Sequence, residues 1–400
     1  MIDCPKIELG QLTTTINGLW TGKKPPFKTV AVIRNTNFSK DCRLKMDDVA
    51  MIDVEERQFA TRKLQVGDII IEKSGGSDKQ PVGRPVIFNI PDGDYSFSNF
   101  TSALRVNDKS KVLPEYLQKF LYKFYLTGKT AEMQSKTTGL RNLDFNAYKQ
   151  IKVPVPTVEE QQRIVSELDL LTAVIDKKNN QIRDLDSLAK SIFFEMFGEP
   201  DEHSDRWTAC VVGDCFVSIK NGANIKQSKG AGGIPITRIE TLSNGVFNRD
   251  RLGYADIFDT EKYSSFILSD GDILMSHINS KTYIGRSVVY KYLPGETIIH
   301  GMNLLRLIPK NDVINPVYAK FFFDTVFFKR QVASIRKDAV NQSSMAVGDL
   351  KKLRIYLPPI ELQSSFCEKV SAIESQKAII RASIDSSSVL LSSRMDYWFM

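Results

Sequence analysis

Apolar residues recur at alternating steps of four and three along one stretch in the middle of the chain. The stretch runs from Ile164 to Met196, and nine of its ten seam positions are apolar, with Lys178 as the exception. This 3.5-residue spacing predicts a long helix whose apolar stripe packs against a partner helix. Acidic residues after Pro156 predict the helix start, and Gly198 predicts its end. The nine apolar seam residues are Ile164, Leu168, Leu171, Ile175, Ile182, Leu185, Ala189, Ile192 and Met196.

A second copy of this pattern lies 202 residues further along the chain. Residues 156–161 (PTVEEQ) match residues 358–363 (PPIELQ), and seven of the ten corresponding seam positions are apolar. Lys377 occupies one of the polar positions, so the second seam is rougher than the first. Two apolar stripes in one chain are buried most simply if the two helices pair antiparallel. The second set of seam residues is Phe366, Val370, Ile373, Ile380, Ile384, Leu391 and Trp398.

The similarity continues backwards into the sequence before each helix. Residues 67–71 (GDIII) match 271–275 (GDILM), and residues 83–87 (GRPVI) match 285–289 (GRSVV). Short aliphatic runs bounded by Gly, Pro, Asn and Asp predict strands, and an aromatic-rich segment after a proline predicts a helix in each half. The predicted strands are 29–33, 68–71, 86–88, 273–275 and 288–290, and the predicted helices are 116–125 and 318–328.

Each half of the chain is therefore predicted to be a globular domain followed by a long helix. The fold class is α+β: two similar mixed α/β domains separated by two long antiparallel helices that form an intramolecular coiled coil with pseudo-twofold symmetry. The predicted boundaries are residues 1–152 and 201–356 for the two globular domains, and 153–200 and 357–400 for the helices.

Charge is distributed unevenly over these four segments. Residues 1–152 and 201–356 have net charges of +7 and +5, whereas residues 153–200 and 357–400 have −4 and −1. Two basic domains on a neutral to acidic frame suit a polyanionic ligand such as DNA. The chain has five scattered cysteines and no long apolar run or amino-terminal signal pattern, so we expect reduced thiols and a cytoplasmic location.

Catalytic motifs were sought and are not evident in the sequence. Residues 24–27 (KPPF) have a lysine where an amino-methyltransferase requires Asn or Asp, and residues 128–130 (GKT) lack the glycine of a phosphate-binding loop. Cys210 and Cys215 form the one close cysteine pair, without a second pair to complete a metal site. We therefore expect no catalytic residue, no metal and no cofactor in this chain.

Candidate DNA contacts are Arg, Lys, Asn, Gln and His side chains in predicted loops, because they donate to base edges and phosphates. Arg84 and Arg286 are the best-matched pair, since each follows a glycine at the same place in the repeat, although a shared structural hydrogen bond would explain this equally well. The full set is Lys23, Lys24, Lys73, Arg84, Lys136, Arg141, Asn142, Lys220, Asn221, Asn224, Lys226, His277, Asn279, Lys281, Arg286, Arg336, Asn341 and Gln342.

The chain resembles the specificity subunit of type I restriction-modification systems over essentially its whole length. The resemblance rests on the order domain, helix, domain, helix and on the strings at 153–165 (VPVPTVEEQQRIV) and 196–200 (MFGEP). The second copy departs from the first at Leu362 and at residues 364–366, so its helix is expected to be held less tightly or differently.

The resemblance implies a non-catalytic subunit whose two target-recognition domains each read one half of a bipartite DNA sequence. It also implies two modification subunits that bind S-adenosylmethionine and methylate adenine, and restriction subunits that use ATP and magnesium. Two other hypotheses remain open: a nuclease or methyltransferase in its own right, and a coiled-coil adaptor that binds a non-DNA partner through its repeated domains. The recognised sequence and its gap length do not follow from the residues.

Overall fold

The computed structural model of the chain describes residues 4–20, 22, 24–77, 80–137, 140–200, 206–227, 232–339 and 342–400. Its internal contacts divide it into two units. Unit 1 comprises residues 1–179 and 382–400, and unit 2 comprises residues 180–381. Each unit thus contains one globular part and one half of each long helix.

The described part of unit 1 begins with a mixed domain of short strands and helices. Its helices are α1 (Leu9–Leu12), α2 (Glu56–Arg62), α3 (Pro114–Leu126) and α4 (Phe145–Lys149), followed by the start of α5 (Val158–Phe197). Its strands are β1 (Lys6–Glu8), β2 (Thr13–Asn17), β3 (Phe27–Ile33), β4 (Ala50–Glu55), β5 (Ile69–Glu72), β6 (Ser74–Gly76), β7 (Pro85–Ile87), β8 (Tyr95–Phe97), β9 (Thr101–Val106), β10 (Gln134–Thr137), β11 (Leu140–Leu143) and β12 (Lys152–Pro154).

The described part of unit 2 has a similar series of elements. Its helices are α6 (Pro316–Phe323), α7 (Val326–Ile335) and α8 (Val347–Leu350), followed by the start of α9 (Ile360–Phe399). Its strands are β13 (Thr208–Val211), β14 (Phe216–Asn221), β15 (Pro235–Ile236), β16 (Gly253–Tyr254), β17 (Ile273–Ser276), β18 (Ile278–Asn279), β19 (Ser287–Val289), β20 (Leu304–Pro309), β21 (Lys337–Asp338), β22 (Ser343–Ser344) and β23 (Arg354–Leu357).

Three sheets recur in both units with the same strand order. The four-stranded sheet β2-β9-β5-β7 of unit 1 corresponds to β14-β20-β17-β19 of unit 2, and the pair β1-β12 corresponds to β13-β23. The small sheet β10-β11-β6 corresponds to β21-β22-β18, and all of these pairings are antiparallel. The prediction of two similar mixed α/β domains and two long helices is therefore confirmed.

The two units differ in the segment between the second and third strands of this shared frame. In unit 1 this segment contributes β3, β4 and α2, and β3 pairs antiparallel with β4 and parallel with β8. In unit 2 the equivalent segment contributes the two-stranded β15-β16 sheet and several short 3-10 turns. These segments, residues 18–68 and 222–272, are called the insert of each unit below.

The two long helices pair antiparallel within each unit. In unit 1, Arg394 of α9 forms an ion pair with Glu167 of α5, and the Lys178 ammonium donates to the Ser383 hydroxyl (2.6 Å). In unit 2, Lys377 lies 2.6 Å from Asp186. Every predicted seam residue is buried or half-buried. Among the described residues, no helix is both long enough and apolar enough to cross a membrane.

The ends of the helix seams join the cores of the globular parts. In unit 1, Ile164 and Leu168 pack with residues of α3 and β9 in one buried cluster, which also contains Met395 and Trp398. In unit 2, the corresponding cluster contains Phe366 and Val370, together with Phe193 and Phe197, which the heptad pattern did not include. In each unit the seam therefore anchors the ends of both helices to the domain core, as well as joining the helices to each other.

A glutamine at the start of each long helix makes the same three bonds in both units. Gln161 Nε2 donates to the carbonyl oxygens of Pro156 (2.9 Å) and Lys111 (2.8 Å), and its Oε1 accepts from the backbone N–H of Leu113 (2.8 Å). In unit 2 the same atoms of the glutamine at position 363 bond to residues 358, 313 and 315 at 2.8, 3.2 and 2.9 Å. The substitutions around the second helix start therefore leave this glutamine's bonding unchanged.

The aromatic segment of unit 2 differs from its predicted form. Sequence alone predicts one helix over residues 318–328, as in the single α3 of unit 1, but the structure has α6 and α7 with a break between them. The hydroxyl of Thr325 accepts from the backbone N–H of Phe328 (3.2 Å) and so caps α7. Thr325 therefore begins a second helix, α7, within a run of aromatic residues that otherwise continues the apolar pattern of α6.

Candidate nucleic-acid interface

The small sheet of unit 1 brings four predicted contact residues together. Lys73 precedes β6, Lys136 lies opposite Arg141 across the β10–β11 hairpin, and Asn142 pairs with Ser74. The Ser74 hydroxyl donates to Asn142 Oδ1 (2.5 Å), and the structure describes the backbone but not the side chain of Lys136. Partial burial lowers the pKa of the Lys73 ammonium. The small sheet thus brings the backbone positions of these four residues together.

The corresponding sheet of unit 2 gathers a second group of predicted residues. Asn279 lies in β18, His277 and Lys281 flank that strand, and Arg336 and Gln342 precede β21 and β22. The Arg336 guanidinium donates to Asp338 from Nε (2.6 Å) and Nη2 (3.2 Å), which holds the pKa of that carboxyl well below its usual range. The sequence placed these residues on separate loops, and the fold joins them at the position equivalent to the unit 1 sheet.

The matched pair Arg84 and Arg286 occupies equivalent backbone positions. In unit 1 the backbone N–H of Glu72 donates to the carbonyl of Arg84 (3.1 Å), and in unit 2 the N–H of Ser276 donates to that of Arg286 (2.8 Å). The glycine before each arginine has a positive φ, 109° and 80° respectively, a conformation that glycine adopts without strain. The backbone conformation around the two arginines is thus the same. The residue that donates to the arginine carbonyl differs, being Glu72 in unit 1 and Ser276 in unit 2.

The Arg84 side chain is buried in the interior of unit 1. Its Nε and Nη2 donate to the two carboxylate oxygens of Glu72 (2.7 and 2.9 Å), and Nη1 donates to the carbonyl of Phe38 (2.9 Å). Only 6% of the Arg84 side chain is exposed. The geometry favours the structural explanation that the sequence left open, and it leaves this guanidinium little surface for DNA.

His277 is also an interior residue. It is buried, and burial lowers the pKa of its imidazole to about 4, so the side chain is neutral at physiological pH. His300 behaves similarly, with a pKa lowered by burial to about 4 and its Nε2 at 2.8 Å from the carbonyl of Leu304. Neither histidine offers a cation to a polyanion.

The predicted residues near the amino-terminal part of each insert lie on the surface. Lys220 and Asn221 end β14, and the others lie in loops. The exposed ones are Lys24, Lys220, Asn221, Asn224 and Lys226, and Gln342 is exposed beside β22. Lys23 and Asn341 lie outside the described residues.

Exposed apolar side chains in the inserts were missed by sequence reasoning. Trp20 is 63% exposed and Met51 65% in the insert of unit 1, and Phe258 is 79% exposed in the insert of unit 2. Such side chains can contact thymine methyl groups or stack on unpaired bases. Hydrophobic periodicity could not mark them, because an apolar residue in a short strand or loop predicts core.

In the part of the chain that the structure describes, no group of three or more His, Cys, Asp or Glu side chains could hold a metal ion. The Cys210 and Cys215 sulfurs lie 3.4 Å apart, and the five cysteines are free thiols.

Known proteins resemble this chain in sequence and in fold. It is 37% identical over 187 residues to a protein of Methanocaldococcus jannaschii named as a type I restriction enzyme MjaX specificity subunit, a match covering 47% of this chain and 44% of that protein. The EcoKI specificity subunit of Escherichia coli K12 is 22% identical over 326 residues, covering 78% of this chain and 69% of that protein.

Among solved structures, the type I restriction-modification S subunit from M. genitalium superimposes with a TM-score of 0.53 at 12% identity, covering 99% of this chain and 96% of that one. The family model described as type I restriction modification DNA specificity domain matches residues 13–185 and again residues 205–386. These two matches coincide with the two copies of the shared frame and confirm the resemblance inferred from sequence. The chain belongs to the family of type I restriction modification DNA specificity domains and carries two of them.

Proposed function

We propose that this chain is the non-catalytic, sequence-reading subunit of a type I restriction-modification complex. Each unit would read one half of a bipartite double-stranded DNA target through its insert and its small three-stranded sheet. One observation carries the proposal: the two units share the same frame of sheets but differ in their inserts. A shared frame with different reading surfaces suits a target whose two halves have different sequences.

The surface chemistry supports DNA as the ligand. The small sheets and the loops around them present Lys, Arg, Asn and Gln, the side chains that pair with phosphates and base edges. The net charges of +7 and +5 on residues 1–152 and 201–356 favour a polyanion. DNA as the ligand is also the reason we propose a cytoplasmic location.

The proposal assigns the chemistry to partner subunits. Two modification subunits would supply S-adenosylmethionine and methylate adenine, and restriction subunits would use ATP and magnesium. This chain would supply recognition and the surface on which those subunits assemble.

The test is DNA binding by the full chain together with its modification subunit. Selection from a random duplex library should recover two fixed half-sites separated by a gap of constant length. Failure of the complex to bind any duplex at low salt, or recovery of one uninterrupted motif, contradicts the proposal.

A further inference from the structure

Arg286 differs from its counterpart in unit 1 because its partner residue has changed. The position of Glu72, which neutralises Arg84, is occupied in unit 2 by Ser276. Ser276 carries no charge, and its hydroxyl accepts from Asn279 Nδ2 (3.2 Å). Among the described residues, no carboxylate pairs with Arg286. The same backbone therefore presents a neutralised guanidinium in unit 1 and an uncompensated one in unit 2.

The Arg286 side chain is held by an aromatic ring instead of an acid. Its guanidinium carbon lies 4.3 Å from the ring centre of Tyr283, and the residue is half-buried. Stacking uses the face of the guanidinium and leaves the N–H donors in its plane available for an anion. The Tyr283 ring therefore orients the guanidinium and leaves its N–H donors available to a ligand.

A cavity of about 530 Å³ opens beside this guanidinium. Its lining includes Lys281, Arg286, Ser287 and Lys329, with Asp324 as the one carboxylate among its described lining residues. Asp324 lies 2.9 Å from the Lys320 ammonium and 3.6 Å from that of Lys329, and the Lys281 ammonium lies 3.6 Å from Asp338. Four cations against one carboxylate in the described lining make the cavity net positive.

A buried hydroxyl in the same cavity has no partner. Ser287 is 2% exposed, and its Oγ makes no hydrogen bond within the described part of the chain. A buried polar group without a partner costs free energy, and such groups in native proteins point to a ligand or water that completes them. In unit 1 the equivalent position is Pro85, which has no donor to offer.

From these contacts we propose that the cavity around Arg286 and Ser287 seats a phosphodiester group of the DNA backbone. This inference rests on the proposed function and adds a defined phosphate site to it. Arg286 donates to two non-bridging oxygens, the Ser287 hydroxyl donates a third hydrogen bond, and Lys281 and Lys329 supply charge. Because Glu72 neutralises Arg84, unit 1 lacks this site, so the two units hold the backbone unequally.

The first experiment measures binding of the full chain, alone and with its modification subunit, to a random-sequence duplex of about 30 base pairs at several salt concentrations. Arg286→Ala should weaken binding about tenfold at low salt and reduce the slope of log affinity against log salt by about one. Arg286→Lys should keep the slope and recover part of the affinity, because it keeps the charge and loses the two-pronged geometry. Lys351→Ala, which removes an exposed charge of unit 2 outside the cavity, is the matched control and should change neither quantity.

The second variant, Ser276→Glu, places a carboxylate where unit 1 has Glu72. It should draw the Arg286 guanidinium inward and reproduce the salt slope of Arg286→Ala without removing any cation. If Arg286→Ala and Lys351→Ala bind alike while the wild-type chain binds DNA, the phosphate site is wrong and the proposed function stands. If the wild-type chain binds no duplex in either form, the proposed function itself is wrong.

Discussion

Arginines at matched positions of the two units are held mainly by internal acids. Arg105 donates from Nε and Nη2 to the two oxygens of Asp68 (2.8 and 2.7 Å), and in unit 2 Arg306 Nε lies 2.7 Å from Asp272. Both aspartates are almost fully buried. A matched cation in the repeat therefore need not indicate a shared ligand, and of the Arg84 and Arg286 pair only Arg84 is held by an internal acid among the described residues.

The ion pair of Glu72 and Arg84 predicts a large loss of stability when its acid is removed. Glu72→Gln leaves a buried guanidinium without its counter-charge, which costs about 3 kcal/mol of unfolding free energy. Chemical denaturation of the full chain measures this. The control is Glu8→Gln, which breaks the exposed pair of Glu8 with Lys152 and should cost less than about 1 kcal/mol. Equal effects of the two substitutions would contradict the assignment of Arg84 to the interior.

The buried histidines predict how the stability of unit 2 depends on pH. The pKa of His277 and of His300 is lowered from 6.5 to about 4 in the folded state, so the unfolded chain binds more protons between these values. Stability should be fully present above pH 6.5 and fall as the pH drops from 6.5 towards 4. The slope of unfolding free energy against pH is proportional to the number of extra protons that the unfolded chain binds. His277→Asn should reduce that number by up to one between pH 4 and pH 6.5. An unchanged slope would mean that His277 is accessible to solvent.

At the scale of elements, the start of each long helix is the most closely repeated feature of the molecule. The glutamines at 161 and 363 are fully buried and bond to equivalent backbone groups in their own units. They tie the first turn of the helix to the loop before α3 or α6. This bonding explains why the glutamine persists in both copies while Glu160 is replaced by Leu362.

Removing this glutamine should weaken the attachment of the helix to its domain. Gln161→Ala leaves the backbone N–H of Leu113 without a partner, with a cost of about 2 kcal/mol. Gln162 is exposed, so Gln162→Ala is the matched control and should leave the unfolding free energy nearly unchanged. Hydrogen exchange of the Leu113 amide provides a local measurement. Slow exchange at Leu113 in Gln161→Ala would show that the bond is dispensable.

The sequence predicted the elements that depend on periodicity and repetition. The long helix predicted to start after Pro156 and to end at Gly198 is α5, and the predicted strands 68–71 and 273–275 are the buried central strands β5 and β17. The break at Thr325 was missed because one capping hydroxyl outweighs a continuous aromatic pattern. The insert strands were missed in part because their side chains alternate weakly and include exposed residues such as Met51.

The candidate site was less predictable than the fold. Residue type and predicted loop position selected Lys281, Arg286 and Arg336, which the fold brings to one cavity, and also Arg84 and His277, which it buries. The difference depends on a neighbour distant in sequence, as Glu72 shows for Arg84. Local sequence therefore does not distinguish a charged residue that is buried in a non-local ion pair from one that lies on the surface.

At the scale of the whole molecule, duplication of one frame accounts for most of the architecture. The three shared sheets, the equivalent helix starts and the two family matches all repeat once along the chain. The main differences between the units are the inserts and the aromatic segment, which is one helix (α3) in unit 1 and two (α6 and α7) in unit 2. We therefore expect target specificity to lie in the inserts and the small sheets, and assembly in the other parts that repeat.

The most direct measurement of this account is the adenine methylation pattern of a genome that expresses the chain with its modification subunit. Residues 201–356 are replaced by the corresponding domain of a relative with a different target, and copurification with the modification subunit checks assembly. The account predicts that one half of the methylated bipartite site changes to that of the relative and the other half stays the same. An assembled chimera that methylates the original site, or a site altered in both halves, would contradict the claim that each unit reads its own half.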